Sequence, residues 1–129
     1  MTRILVVDDD ENVLKVLSRA LERFGYEVLT AKDGRECVTM FQSSPTDLVI
    51  CDIFMPRMDG LEVLMQLRKS HPDVKLIAVS GGGVRMKLDV LPLAEILGAD
   101  ATLEKPYDID DLLRTIRRLI SDNPQPSAS

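Results

Sequence analysis

The sequence predicts an α/β fold: a doubly wound parallel sheet of five strands in the order 2-1-3-4-5, with helices on both faces. Three observations predict it. Ile4 to Val7 and Leu48 to Cys51 are unbroken apolar runs, the pattern of parallel strands buried on both faces. Strand-like runs alternate along the whole chain with stretches of helical period, joined by short links, and such alternation builds βα units. The strand-like runs end in Asp8, Asp52, Ser80 and Lys105, chemistry-bearing residues at the edge where open α/β sheets place their ligands.

The bulk properties narrow the class. A chain of 129 residues, 45% hydrophobic and 29% charged, is one globular domain with enough apolar residues for a core. A formal charge of −5 and a pI near 4.8 argue against direct, non-specific nucleic-acid binding. Cys37 and Cys51 sit in apolar contexts without metal-ligand spacing and read as small buried residues in a reducing compartment. Arg3 leads into only four apolar residues before Asp8, so no signal peptide is expected. No run approaches the roughly 20 apolar residues of a membrane span. The expectation is a cytoplasmic protein without a membrane partner.

After the first strand, Asp10 is assigned to capping a helix from about Glu11 to Phe24, which Gly25 stops. Its apolar residues, Val13, Leu14, Val16, Leu17, Ala20, Leu21 and Phe24, cover an arc of roughly 160°, wider than a core stripe needs. Glu27 to Ala31 is a more mixed strand, expected nearer an edge. Asp33 and Glu36 form a capping-box pair for a helix ending around Ser43-Ser44-Pro45. After Asp52 and a short loop, Asp59 and Glu62 repeat that pairing. Leu61, Leu64 and Leu67 are the expected buried stripe, and His71-Pro72 closes the helix.

Lys75 to Val79 is a fourth strand, ending at Ser80 and followed by Gly81-Gly82-Gly83. Because Pro92 is tolerated only in a first turn, the next helix is placed from Asp89 as N-cap to Gly98, leaving 81–88 as a long flexible loop. Ala101 to Glu104 is a short fifth strand. Asp108 caps a last helix to about Ile120. The domain is thus expected over 1–121, with a disordered tail over 122–129.

In such a sheet Asp8, Asp9, Asp52, Ser80 and Lys105 converge on one edge. Carboxylates about 4 Å apart repel by on the order of 4 kcal/mol per pair at an effective dielectric near 20, so cations must offset them. Lys105 supplies one charge. A divalent ion supplies the rest, and an all-oxygen set suits Mg²⁺, which prefers few carboxylates plus a phosphate. Phosphoryl transfer needs positioning and charge neutralisation, and an aspartate can serve as its nucleophile. Asp52, central and flanked by the others, is the candidate. Any single Asp at a strand end is more often a cap than a ligand; the conjunction of several strand ends favours the functional reading.

These residues resemble a known family, the receiver domain of bacterial two-component response regulators, in particular its chemotaxis-receiver-like, stand-alone members with a flavodoxin-like (βα)5 fold. The matching pieces are V-V-D-D at Val6 to Asp9, C-D-I-F-M-P-R-M-D-G at Cys51 to Gly60, A-V-S at Ala78 to Ser80 and K-P-Y at Lys105 to Tyr107. The resemblance implies that Asp52 is the phosphoacceptor and takes its phosphoryl group from a phosphohistidine. It implies that Asp8, Asp9, Asp52 and the backbone carbonyl of Phe54 hold Mg²⁺, that Lys105 bridges to Asp52, that Ser80 is the switch hydroxyl, and that the Lys105-Pro106 peptide is cis. The implied partner is a sensor histidine kinase or histidine phosphotransferase; the downstream protein target is unknown. The resemblance makes the chain a signalling switch rather than an enzyme.

Two departures stand out. Where many receivers carry a switch aromatic three residues before the lysine, this chain has Thr102. Tyr107, on the other side of Lys105, is the candidate to compensate. The glycine loop after Ser80 is longer than in compact receivers, and phosphorylation is expected to order it together with the helix starting near Asp89. The over-wide arc of the first helix places Val13 and Val16 at its rim beside the acidic edge, either as simple edge packing or as a docking patch for the histidine-bearing partner. The competing readings are a Mg²⁺-dependent phosphohydrolase of the haloacid-dehalogenase type and a receiver-shaped interaction module indifferent to phosphorylation.

Overall fold

The two apolar runs lie side by side at the centre of the sheet, Ile4 opposite Leu48 and Val7 opposite Cys51. The computed structural model describes residues 2–53, 60–80, 92, 94, 95 and 98–121. The strands are β1 (Arg3–Val7), β2 (Glu27–Ala31), β3 (Leu48–Asp52), β4 (Lys75–Ser80) and β5 (Ala101–Glu104). Among the described residues the helices are α1 (Glu11–Arg23), α2 (Gly34–Ser43), α3 (Gly60–Ser70) and α4 (Ile109–Ser121). All strand pairs are parallel and the order is β2-β1-β3-β4-β5, as the alternation of elements predicts. β2 is an edge strand, which explains its mixed composition.

Side chains alternate across the sheet and so build two cores. Leu5, Val7, Val49, Cys51, Leu76 and Ala78 face α2 and α3. Ile4, Val6, Leu48, Ile50, Ile77 and Val79 face α1 and α4. Leu14, Leu17 and Leu21 of α1 and Leu112, Leu113, Ile116 and Leu119 of α4 close the second layer. Each such side chain contributes about 1.5–3 kcal/mol by leaving water.

The ends of α1 behave as its sequence predicts. The Asp10 carboxylate accepts from the Asn12 N–H at 2.9 Å. At the other end Gly25, with φ +92°, donates to the Glu22 carbonyl at 3.0 Å and Tyr26 donates to the Leu21 carbonyl at 3.3 Å. For α2, Asp33 accepts from the Glu36 N–H at 2.9 Å, but Glu36 reaches back to the Lys32 N–H rather than to that of Asp33. Asp108 accepts from the Asp111 N–H at 3.0 Å at the start of α4. Asp59, the expected cap of α3, lies outside the described residues.

The buried stripe of α3 differs from the expected one. It consists of Gly60, Val63, Leu64 and Leu67, while Leu61 is only half-buried against the rim of the first core. Packing against both the sheet and α2 turns the helix so that Val63 takes the inward place. Of the helix expected from Asp89 to Gly98, Pro92, Ala94 and Glu95 are helical. Gly98, at φ +122°, ends it with the same pair of bonds as at Gly25: Gly98 N–H to Glu95 at 3.1 Å and Ala99 N–H to Ala94 at 2.9 Å. The glycine loop 81–88, Asp89 and the tail 122–129 lie outside the described residues.

At the amino edge of the sheet, Asp47 ties three strands together. Its carboxylate accepts from the Arg3 N–H at 2.8 Å, its N–H donates to the Arg3 carbonyl at 2.9 Å, and its carbonyl accepts from Lys75 at 3.2 Å. No helix among the described residues is long and apolar enough to cross a membrane.

Gly60 meets the end of β3 without clearance. A Cβ there would stand 2.5 Å from the Asp52 carbonyl oxygen and 2.5 Å from the Ile53 Cα. Both obstacles are backbone, so Gly60→Ala is expected to destabilise the fold by about 1–3 kcal/mol, read as a lower urea midpoint at unchanged slope. Both cysteines are buried thiols outside any disulfide among the described residues, and burial pushes the Cys37 thiol up to about 12. At pH 8 a disulfide-exchange reagent should therefore titrate neither thiol in the folded protein and both in denaturant; rapid labelling of the native chain would contradict this packing.

Candidate functional site

The carboxyl edge of the sheet gathers the predicted residues. Asp52 is the last residue of β3, and Asp8 and Lys105 lie one residue beyond β1 and β5. Backbone bonds continue the ladders past the strand ends: Asp8 N–H to Ala31 at 3.1 Å, Ile53 N–H to Val79 at 2.9 Å and Lys105 N–H to Ser80 at 2.8 Å. Strand alternation therefore still governs these positions. Asp8, Asp52 and Lys105 continue the rows that face α1 and α4. Ser80 and Thr102 belong to the rows that face α2 and α3, with Thr102 paired to Ala78. The edge is thus furnished from both faces.

Asp8, Asp9 and Asp52 each offer a carboxylate oxygen within 4.8 Å of the others. Asp8 is 4% exposed and Asp52 7% exposed, while Asp9 is open to solvent. The Lys105 ammonium stands between the two buried acids, 3.0 Å from Asp8 Oδ2 and 3.3 Å from Asp52 Oδ2. Partial burial works against its charge. The hydrogen bond to Asp8 and the negative charges of Asp52 and Asp8 outweigh that, and its pKa lies above the ordinary lysine value. The Lys105-Pro106 peptide is cis, as the resemblance implies.

The second oxygen of Asp8 accepts from the Asp10 N–H at 2.9 Å. Asp10, expected only as a cap, thus fixes Asp8 through its backbone while its own side chain caps α1. Gly60 likewise supports the site, donating from its N–H to the Ile53 carbonyl at 2.9 Å. An Asp-Gly pair reads as a helix start, and nothing in its spacing signals how closely Gly60 approaches the Asp52 backbone.

Ser80 is fully buried, and its hydroxyl has no hydrogen-bond partner among the described residues. Phe54, the expected carbonyl ligand, lies outside the described residues. Tyr107 is half-buried beside the pocket. Burial raises its phenol pKa, the Lys105 charge opposes this, and Asp8 and Asp52 add to it.

A groove of about 890 Å³ leads away from the pocket between α1 and the segment after β5. Val13, Val16, Ala20 and Phe24 form one wall, and Lys105, Pro106 and Tyr107 the other. Val13 is half-buried, whereas Val16 is 66% and Phe24 53% exposed, so the outer part of the wide arc does not serve the core.

The chain matches the family model of the response regulator receiver domain over residues 4–117. It is 40% identical over 118 residues to the response regulator MprA of Mycolicibacterium vanbaalenii, covering 92% of this chain and 50% of that protein. It is 38% identical over 128 residues to the probable transcriptional regulator ycf27 of Cyanophora paradoxa, covering 98% and 52%. The chain thus spans about half the length of these curated relatives. Among solved structures, a response regulator receiver domain protein from Clostridium thermocellum superposes with a TM-score of 0.88 at 34% identity, over 95% of this chain and 96% of that one. TrrA of Thermotoga maritima, solved in complex with Mg²⁺-BeF, superposes with a TM-score of 0.81 at 37% identity, over 92% and 99%. With its sheet order, its acidic edge and these relatives in agreement, the chain belongs to the response regulator receiver domain family.

Proposed function

We propose that this receiver domain is the phosphorylation-dependent switch of a two-component phosphorelay, with Asp52 as phosphoacceptor. The observation that carries this reading is the convergence of three carboxylates within 4.8 Å, two of them buried, on a single lysine ammonium 3.0 and 3.3 Å away. In the proposed reaction an Asp52 carboxylate oxygen attacks the phosphorus of a phosphohistidine. The O–P bond forms as the N–P bond breaks, and the imidazole nitrogen leaves with the bonding pair. Lys105 keeps its proton and offsets charge on the phosphoryl oxygens. The Ser80 hydroxyl, buried without an acceptor among the described residues, turns to donate to one of them, ending an arrangement that costs about 1–3 kcal/mol.

The donor set fits Mg²⁺. It is all oxygen, it has an open side at exposed Asp9, and one ammonium leaves three carboxylates under-compensated. Asp8, Asp9 and Asp52 would hold the ion, which when bound supplies positive charge to the phosphoryl oxygens. TrrA, solved with Mg²⁺-BeF, supports the same assignment here.

The partner in this reading is a sensor histidine kinase or histidine phosphotransferase that lays a helix along the apolar groove at Val13 and Val16, bringing its phosphohistidine to Asp52. Signalling then proceeds through protein contacts in the cytoplasm, and Thr102, on the face of Ser80, and Tyr107, on the groove side of Lys105, are the candidate relay positions.

Incubation with acetyl phosphate and Mg²⁺ should add one phosphoryl mass to the chain, and Asp52→Asn should abolish the gain. Labelling that survives in Asp52→Asn, or multiple turnover of p-nitrophenyl phosphate, would overturn the assignment. Val16→Asp should slow transfer from a phosphorylated histidine donor by about tenfold while leaving acetyl phosphate labelling and thermal stability unchanged. Equal transfer rates would remove the groove from the docking surface.

A further inference from the structure

Arg68, in the last turn of α3, directs its guanidinium wholly outside its own helix. Nε and Nη2 donate to the Gly98 carbonyl at 3.2 and 2.7 Å. Nη1 donates to the carbonyls of Pro72 at 2.6 Å and Val74 at 2.9 Å. Nη2 also meets the Asp100 carboxylate at 2.7 Å, and the same oxygen accepts from the Leu76 N–H at 2.8 Å. An arginine that merely capped α3 would bond carbonyls of α3. This one ties α3 to the turn before β4 and to the segment entering β5, and through the Asp100 carboxylate to the Leu76 N–H of β4. Gly98 leaves it room: a Cβ there would stand 3.1 Å from Arg68 Cγ.

The opposite end of α3 is held as tightly. Gly60 donates to Ile53 and abuts the Asp52 carbonyl with no space for a methyl group. The two ends lie about 12 Å apart along a helix, a rod that resists compression. A shift of α3 toward β3 is a backbone clash, and a shift away breaks the Gly60 bond. At the far end, the Arg68 guanidinium and its partners hold the helix along its axis by side-chain contacts outside the helix.

We propose that Arg68 is a positioning residue for Asp52: by bracing α3 against Gly98 and Asp100, it keeps Gly60 seated on the Asp52–Ile53 backbone. The proposal rests on the reading of Asp52 as phosphoacceptor. It also gives the Gly98–Asp100 segment, where the fourth crossover returns to the sheet, a rigid connection to the acidic pocket.

The test uses the full chain with Arg68→Ala, Arg68→Lys and Asp100→Asn, and Leu119→Ala as a destabilised control remote from the brace. Amide hydrogen exchange by NMR compares Gly60 with Val49 in the central strand. Arg68→Ala should speed Gly60 exchange about tenfold beyond any change at Val49, whereas Leu119→Ala should move both alike. An unchanged Gly60 to Val49 ratio in Arg68→Ala would overturn the brace. Should that variant not fold, Arg68→Lys, which keeps the charge but cannot span the forked contacts, and Asp100→Asn decide by the same ratio.

The second readout is the rate of acetyl phosphate labelling with Mg²⁺. It should fall roughly tenfold in Arg68→Ala, recover in part in Arg68→Lys and stay at the wild-type value in Leu119→Ala. An undiminished rate in Arg68→Ala would overturn the link to Asp52. A wild-type chain that takes up no phosphoryl group sinks the phosphoacceptor reading instead, while the exchange ratio still decides the brace.

Discussion

One ammonium set between two buried carboxylates is the constraint on which the rest of this molecule depends. Asp8 and Asp52 are withdrawn almost completely from water, and Lys105 bonds both. Such a group of charges is stable only when its geometry is good and its remaining lone pairs are satisfied. That requires three strands that are far apart in sequence to end at the same height. Parallel pairing of β1, β3 and β4 with β5 achieves this, since every strand then delivers its carboxyl end to one edge. The Asp10 N–H on the spare oxygen of Asp8 completes the arrangement.

The site straddles the sheet. Asp8, Asp52 and Lys105 continue rows facing α1 and α4, whereas Ser80 and Thr102 belong to rows facing α2 and α3. A change of charge at Asp52 is therefore felt in two directions. On one face the edge carries the buried Ser80 hydroxyl and, in the neighbouring strand, Thr102. On the other Asp52 meets Lys105, whose stem is also a wall of the apolar groove. A partner lying in that groove would touch the residue that bonds both buried acids.

Most of the architecture was legible because buried parallel strands write themselves as unbroken apolar runs and because Asp10, Asp33 and Asp108 announce helix starts by local hydrogen bonding. The convergence of Asp8, Asp9, Asp52 and Lys105 followed from topology alone. What was not legible depends on how elements press on one another. Leu61 and Val63 are equally apolar, and only the position of α2 decides which turns inward. Gly60 looks like an ordinary residue at the start of a helix until its distance from the Asp52 carbonyl is measured. Arg68 has the sequence signature of a solvated cation near a helix end, and its partners lie up to 32 residues away.

The fixings of the fold are unevenly distributed. Asp47 with Arg3 and Lys75, the glycine-terminated helix end at Gly98 and the Arg68 contacts all lie at the amino edge of the sheet or on the segments leading into it. The chemistry lies at the opposite edge. The contacts that tie the amino ends of the strands and those that gather charge at their carboxyl ends are therefore made by different residues. If the groove is the docking surface proposed above, residues around it can be exchanged, and the correspondents with them, while the far edge preserves the frame. Divergence of wiring without divergence of fold is what such a separation permits.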